Sequence, residues 1–155
     1  MKFGEAVARI LKREGIEYVI GYPVNHVLEH AAMADIRTII VRQERTGLHM
    51  ADAVSRMTSG EKIGVFVCQS GPGTENSYGA VAQAYSESVP VLVMPGGYAR
   101  RQAHIDPNYN ATISMRDVTK SAEPVNDARE LVNIMRRAFS KLRNGRGGPV
   151  LVEVP

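Results

Sequence analysis

With 155 residues, 44% of them apolar and 23% charged, the chain has enough side chains for one proper core and is short for two, so a single domain spanning 1–155 is expected. No apolar run approaches the roughly 18 residues needed to span a bilayer, and Met1-Lys2-Phe3-Gly4-Glu5-Ala6 lacks the apolar region and small-residue cleavage site of a secretory signal, so the expected location is the cytoplasm. The formal charge of +3 gathers at Arg100-Arg101 and around Arg136, Arg137, Lys141, Arg143 and Arg146 without interleaved aromatics, which argues against nucleic acid as a partner; one cysteine and four scattered histidines exclude a disulfide framework and the usual zinc spacings.

Phe3, Val7, Ile10 and Leu11 mark one face of a first helix, with Lys12-Arg13 in its last turn and Gly15 as its left-handed cap. A strand follows at Tyr18-Val19-Ile20. Gly21-Tyr22-Pro23 then turns the chain into a second helix through Val27, Leu28, Ala31 and Ala32, with Pro23 as its starter. Thr38-Ile39-Ile40-Val41 reads as a buried parallel strand, and Gly47, Met50, Ala51, Val54 and Met57 recur at helical spacing in a helix from about Thr46 to Thr58.

Ser59-Gly60 breaks that helix, and the continuous apolar run Ile63 to Cys68 is expected as a central strand covered on both faces. Cys68 reads as a small buried strand residue. A helix beginning at Thr74 or Asn76 carries Val81, Ala82 and Tyr85, and Val89 to Met94 is the next strand, with Pro90 at its start, where a missing donor is tolerated. Pro95 to about Ser114 lacks periodicity and reads as a long loop of the functional or mobile kind. A turn near Met115 to Thr119, an edge strand at Ser121 to Pro124, a helix from Ala128 to Leu142 and a final strand from Pro149 to Val154 complete the chain. Six strands alternating with helices predict an α/β fold, a three-layer α/β/α sandwich around a six-stranded parallel sheet.

Glu44 is the residue best placed for chemistry, because it stands where a β-branched run stops and a helix starts. In an open α/β sheet that edge is where ligands bind. An acidic residue in a first helical turn also serves simply as a complement to the helix dipole. A second unusual turn at the same edge, Cys68-Gln69-Ser70-Gly71-Pro72-Gly73-Thr74-Glu75-Asn76, favours a site. It is not a dinucleotide fingerprint, since Asn76 stands where the third glycine belongs and the turn follows the third strand, and it lacks the Gly-Lys-Ser/Thr of a P-loop.

Taken in order, Gly21-Tyr22-Pro23, Arg42-Gln43-Glu44, Met50-Ala51-Asp52, Ser70 to Asn76, Ala84-Tyr85, Ser88-Val89-Pro90 and Gly148 to Pro155 resemble the N-terminal pyrimidine-binding domain of thiamine-diphosphate enzymes of the acetolactate synthase type. The resemblance covers nearly the whole chain and implies strand order 2-1-3-4-6-5, flavodoxin-like. It also implies that Glu44 bonds a ring nitrogen of the cofactor's aminopyrimidine and so activates the thiazolium carbon for attack on a 2-oxo acid. The physical requirement is a proton shared between a carboxylate and a weakly basic ring nitrogen in a dry site.

By the same resemblance Pro23 lines the pyrimidine pocket, Ser70 and Gly71 let backbone approach the ring, and Asn76 stands near the start of a helix that faces a partner. Asn25, Gln69 and Arg101 are the candidate substrate contacts, and Arg100 and His104 could join Arg101 in meeting an anionic substrate. No metal ligand is expected here: the Gly-Asp-Gly…Asn motif that holds Mg2+ and diphosphate in such enzymes is absent, so magnesium is expected on a diphosphate-binding partner domain or subunit. A homodimer or heteromer follows, with Leu48, Ala51, Val81 and Ala84 expected as an exposed apolar patch.

Where the acetolactate synthase pattern reads Gly-Gly after Gly-Tyr-Pro, Val24-Asn25 stands here. Gly96-Gly97-Tyr98 replaces Gly-Gln-Val, and Tyr109-Asn110 is nearest to the Phe-Gln pair. These positions border the substrate pocket in the family, so which 2-oxo acid is used stays open. Two other readings remain: the alpha subunit of a sulfopyruvate- or phosphonopyruvate-type decarboxylase, and a non-catalytic flavodoxin-like ligand-binding or interaction module.

Overall fold

The β-branched runs and helical periods of the sequence resolve into six strands and six helices in a computed structural model, which describes residues 1–99, 101–103 and 105–155. In chain order they are α1 Phe3–Arg13, β1 Tyr18–Gly21, α2 His26–Met33, β2 Arg37–Ile40, α3 Glu44–Met57, β3 Gly64–Cys68, α4 Pro72–Ser86 and β4 Val91–Pro95. The short α5 Ala111–Ser114, then β5 Ser121–Pro124, α6 Leu131–Arg143 and β6 Val150–Glu153 follow. All neighbouring strands run parallel in the order β2-β1-β3-β4-β6-β5, the order that the family resemblance implies.

Strand side chains alternate between the two faces. Val65 and Val67 join the core under α1, α2 and α6, whereas Phe66 and Cys68 point to the core under α3 and α4. The run Ile63 to Cys68 is buried throughout, as a strand covered on both sides must be. Val7 and Leu11 of α1 and Phe139 of α6 are fully or almost fully buried, and each such side chain contributes about 1.5–3 kcal/mol relative to exposure.

Three expectations need correcting. Thr38 to Val41 has the composition of a buried strand, but β2 lies at the sheet edge and Ile40 is 54% exposed; a β-branched run specifies an extended backbone without specifying its neighbours. On α3 the buried stripe is Gly47, Leu48, Ala51 and Ser55, while Met57 is 83% exposed. Leu48, Ala51, Val81 and Ala84 do not form an exposed patch: α3 and α4 lie side by side on the sheet and all four are buried within this chain.

Helix starts also shift. Pro23 is not the starter of α2; Asn25 caps that helix by accepting a hydrogen bond from Val27 N. α4 begins at Pro72, because Gly71 takes φ +63° and delivers the chain directly into a proline at the first helical position. Asn76 therefore stands one turn inside the helix. At the C-terminal side, residues 128–130 form a 3-10 turn capped by Asp127, and the α-helix starts at Leu131. The expected loop from Pro95 ends earlier than Ser114, since Ala111–Ser114 is helical with Asn110 as its cap.

The α3 backbone comes very close to the sheet. A Cβ on Gly64 would lie 1.9 Å from the Ala51 carbonyl oxygen, so any side chain there would force α3 away from the sheet. At their far ends the two helices are clamped by Arg56, whose Nε donates to Asp52 Oδ1 at 2.7 Å and whose Nη1 pairs with Glu87. No described helix is long and apolar enough to cross a membrane.

Candidate active site

The chain leaves β1 toward the α2 side of the sheet and leaves β2 and β3 toward the α3–α4 side, so the C-terminal ends of β1 and β3 are the switch point of the sheet, the crevice at which such folds bind ligands. The loop Tyr22 to Asn25, the start of α3 and the turn Gln69 to Gly73 all reach this edge. Tyr22 N donates to Val67 O at 3.3 Å, which ties the first of these loops to the end of β3.

Glu44 is the first residue of α3 and is only 7% exposed. No amide of its own helix donates a hydrogen bond to its carboxylate; instead Asn76 Nδ2 donates to Glu44 Oε2 at 3.3 Å. No described cation pairs with it. A helix-capping acid would turn back to the free N–H groups beside it, whereas this one faces the neighbouring helix. One amide donor leaves most of the carboxylate's acceptor capacity open.

Gly73 lies against the same group: a Cβ there would be 3.4 Å from Glu44 Oε1 and 3.0 Å from Gln69 Cβ. The missing side chain at Gly73 thus lets the turn pack directly against the carboxylate, whereas the sequence pointed to Ser70 and Gly71 for close backbone approach. Cys68, fully buried at the end of β3, has its thiol pushed up to about 12, first by burial and also by the nearby Glu44 carboxylate, against a hydrogen bond with Thr74. It is therefore a neutral wall of the crevice.

The other sequence candidates divide. Ser70 is half-buried and Gly71 buried in the turn. Gln69 has an exposed side chain, while its carbonyl accepts from Thr74 Oγ1 at 3.2 Å. Pro23 is exposed beside Val24 and Ile40, in a shallow hollow on the β1–β2 side. Asn25 is buried with its amide bonded to main-chain groups of three elements. Arg101 is exposed on a turn at 101–103, and Arg100 and His104 lie outside the described residues. Among those residues no group of His, Cys, Asp and Glu side chains could hold a metal ion.

A second cleft of about 500 Å³ opens beyond the ends of β4, β6 and β5, lined in part by Gly97, Tyr98, Tyr109 and Glu153. Burial pushes the Glu153 carboxyl up to about 7, against a hydrogen bond from Thr112 N. Sequence reasoning passed over this residue, because a glutamate in a closing strand has nothing to mark it.

A parallel sheet with a carboxylate at the start of α3 and a glycine-lined turn facing it defines the class: the chain belongs to the thiamine pyrophosphate (thiamine diphosphate) enzymes, as their N-terminal TPP binding domain, whose family pattern matches residues 1–122. It is 34% identical to the acetolactate synthase large subunit of Haemophilus influenzae, over 97% of this chain and 27% of that protein. It is 32% identical to the isozyme 3 large subunit of Escherichia coli, with 97% and 27% covered. With the chloroplastic acetolactate synthase of Arabidopsis thaliana the identity is 33%, with 99% and 24% covered. The chain spans about a quarter of the length of these relatives.

Proposed function

We propose that the chain is the pyrimidine-binding half of a thiamine-diphosphate-dependent enzyme that decarboxylates or ligates a 2-oxo acid, with Glu44 as the residue that activates the cofactor. The observation that carries this reading is the buried Glu44 carboxylate, which is turned away from its own helix, bonded by Asn76 and overhung by Gly73. A ring nitrogen needs such a partner: an acid able to hold or share one proton, in a site too dry for water to compete.

The residues present fit an aminopyrimidine. Glu44 would supply the proton contact, and the Ser70-Gly71 backbone with the bare Gly73 would let a flat ring approach, with Pro23 on the loop Tyr22 to Asn25 that reaches the same edge. When bound, the cofactor supplies a nucleophilic carbon for the 2-oxo acid carbonyl. Asn76 orients the Glu44 carboxylate through Oε2, and neutral Cys68 and buried Thr74 keep the wall free of competing charge. Gln69 and Arg101 are the exposed groups from which substrate contacts would come. Diphosphate and Mg2+ fall to a partner domain or subunit in a homodimer or heteromer, because the Gly-Asp-Gly…Asn motif is absent from these residues.

The test is Glu44→Gln in the assembled enzyme, read as carbon dioxide release from pyruvate or another 2-oxo acid at saturating cofactor. Loss of proton transfer at a positioned acid costs about 10²–10⁴-fold, so turnover should fall by at least the lower factor with an unchanged melting temperature. Turnover near wild type would make Glu44 a structural residue and remove the catalytic reading.

A further inference from the structure

Asn25, expected as a substrate contact, has its amide engaged within the chain. Its Nδ2 donates to Cys68 O at 3.0 Å and to Met94 O at 3.2 Å, and its Oδ1 accepts from Val27 N at 2.9 Å. Both amide N–H bonds are therefore used within the chain, in a residue only 8% exposed. One side chain joins the start of α2 to the ends of β3 and β4.

The Cys68 carbonyl accepts a second hydrogen bond, from Gly96 N at 2.8 Å. Both lone pairs of the last β3 carbonyl are thus filled, and the peptide plane that launches the turn Gln69 to Gly73 cannot rotate without breaking two buried bonds. That turn carries Gly73 to the Glu44 carboxylate and leads into the helix bearing Asn76.

We propose that Asn25 is a positioning residue, which pins the Cys68 carbonyl and so sets the Gln69–Gly73 turn against Glu44, and that its amide is not offered to substrate. The geometric part stands on the bonds above. Its link to catalysis rests on the function proposed for Glu44.

The single cysteine of the chain is the reporter, since it is fully buried at the pinned position. Asn25→Ser keeps a cap for Val27 N but is too short to bridge both carbonyls, and Asn25→Asp keeps the cap and sets a carboxylate against them. Leu28→Ala on α2, where Leu28 is 6% exposed, removes packing while leaving all three bonds, and serves as the control. Under native conditions an aromatic disulfide reagent should modify Cys68 about tenfold faster or more in the Asn25 variants than in Leu28→Ala at a matched loss of melting temperature, because the opening is local. Equal rates would overturn the proposal. Should one Asn25 variant fail to fold, the other decides.

In the assembled enzyme, Asn25→Ser should raise the half-saturating concentration of thiamine diphosphate and lower kcat by a similar factor for two different 2-oxo acids, with KM for each little changed. A selective rise in KM for one acid, with Cys68 still protected, would make Asn25 a substrate contact and sink the positioning role. If Glu44→Gln leaves turnover intact, the catalytic reading fails, while the thiol rates still judge the pin.

Discussion

Under α1, α2 and α6 the sheet meets long side chains, among them Leu11, Leu28, Ile134, Met135, Phe139 and Leu142, whereas under α3 and α4 it meets Gly47, Leu48, Ala51, Ala80, Val81 and Ala84. The buried polar groups are also unevenly shared: Glu44, Asp52, Ser55, Thr74 and Ser77 lie on α3 or α4, against Asn25 at the start of α2 and Thr119 before β5. Long aliphatic layers remove the most area from water and give stability. Small residues let backbones approach, so that short polar side chains at helix ends can reach across to one another. One face holds the sheet together, and the other trades some of that area for the Glu44–Asn76 contact at one end and the Arg56 clamp at the other.

The comparison breaks most visibly at Phe139. Truncation to alanine on the apolar face should cost about 3–5 kcal/mol, measured as a lower urea midpoint with unchanged slope; a loss below about 1 kcal/mol would mean that this face collapses readily and carries less than claimed. A smaller loss is expected at Gly64 on the other face. There the alanine Cβ would fall 1.9 Å from the Ala51 oxygen, so α3 must shift at a cost of about 1–3 kcal/mol for overpacking. Unlike Phe139→Ala, this variant should also disturb the environment of Glu44, seen as carboxyl chemical-shift changes by NMR. An undisturbed Glu44 signal would separate the helix approach from the site.

The smallest effect belongs to Glu153, at the end of β6 in the lining of the second cleft. Its carboxyl titrates near 7 in the folded chain against an ordinary 4.5, so the folded state holds its proton longer than the unfolded state does. Stability from this group is full below about pH 4.5, declines as pH rises through about 7, and levels off above. Because the group is only partly buried, the loss is discounted to on the order of 1 kcal/mol. Glu153→Gln should flatten the fall in melting temperature between pH 5 and 8, and an unchanged pH profile would relieve Glu153 of that role.

Much of this was open to inspection in the amino-acid order. The apolar stripe of α1, the run Ile63 to Cys68 and the position of Glu44 at a strand-to-helix turn follow from period and turn chemistry. Strand order came through family resemblance, because pairing is decided by contacts between distant segments. The exposure of Ile40 stayed hidden for the same reason. Leu48, Ala51, Val81 and Ala84 have the spacing and size of either a private core or a partner's landing surface, and only the side-by-side packing of α3 and α4 separates the two. Asn25 spells a helix cap; that its other end reaches Cys68 and Met94 depends on two strands finishing at the same height.

The insertion of β6 between β4 and β5 also dictates an order of events during synthesis. β5 has no other strand to pair with, so residues 121–124 must wait, edge exposed, until residues 150–153 have left the ribosome. β1, β2, β3 and β4 can pair among themselves much earlier. A nascent chain paused before β6 would hold a four-stranded sheet whose open β4 flank is a template for pairing with another molecule. Glu44, Gly73 and Asn76, together with the Met94 and Gly96 main-chain groups that hold the turn beside them, all precede that pause.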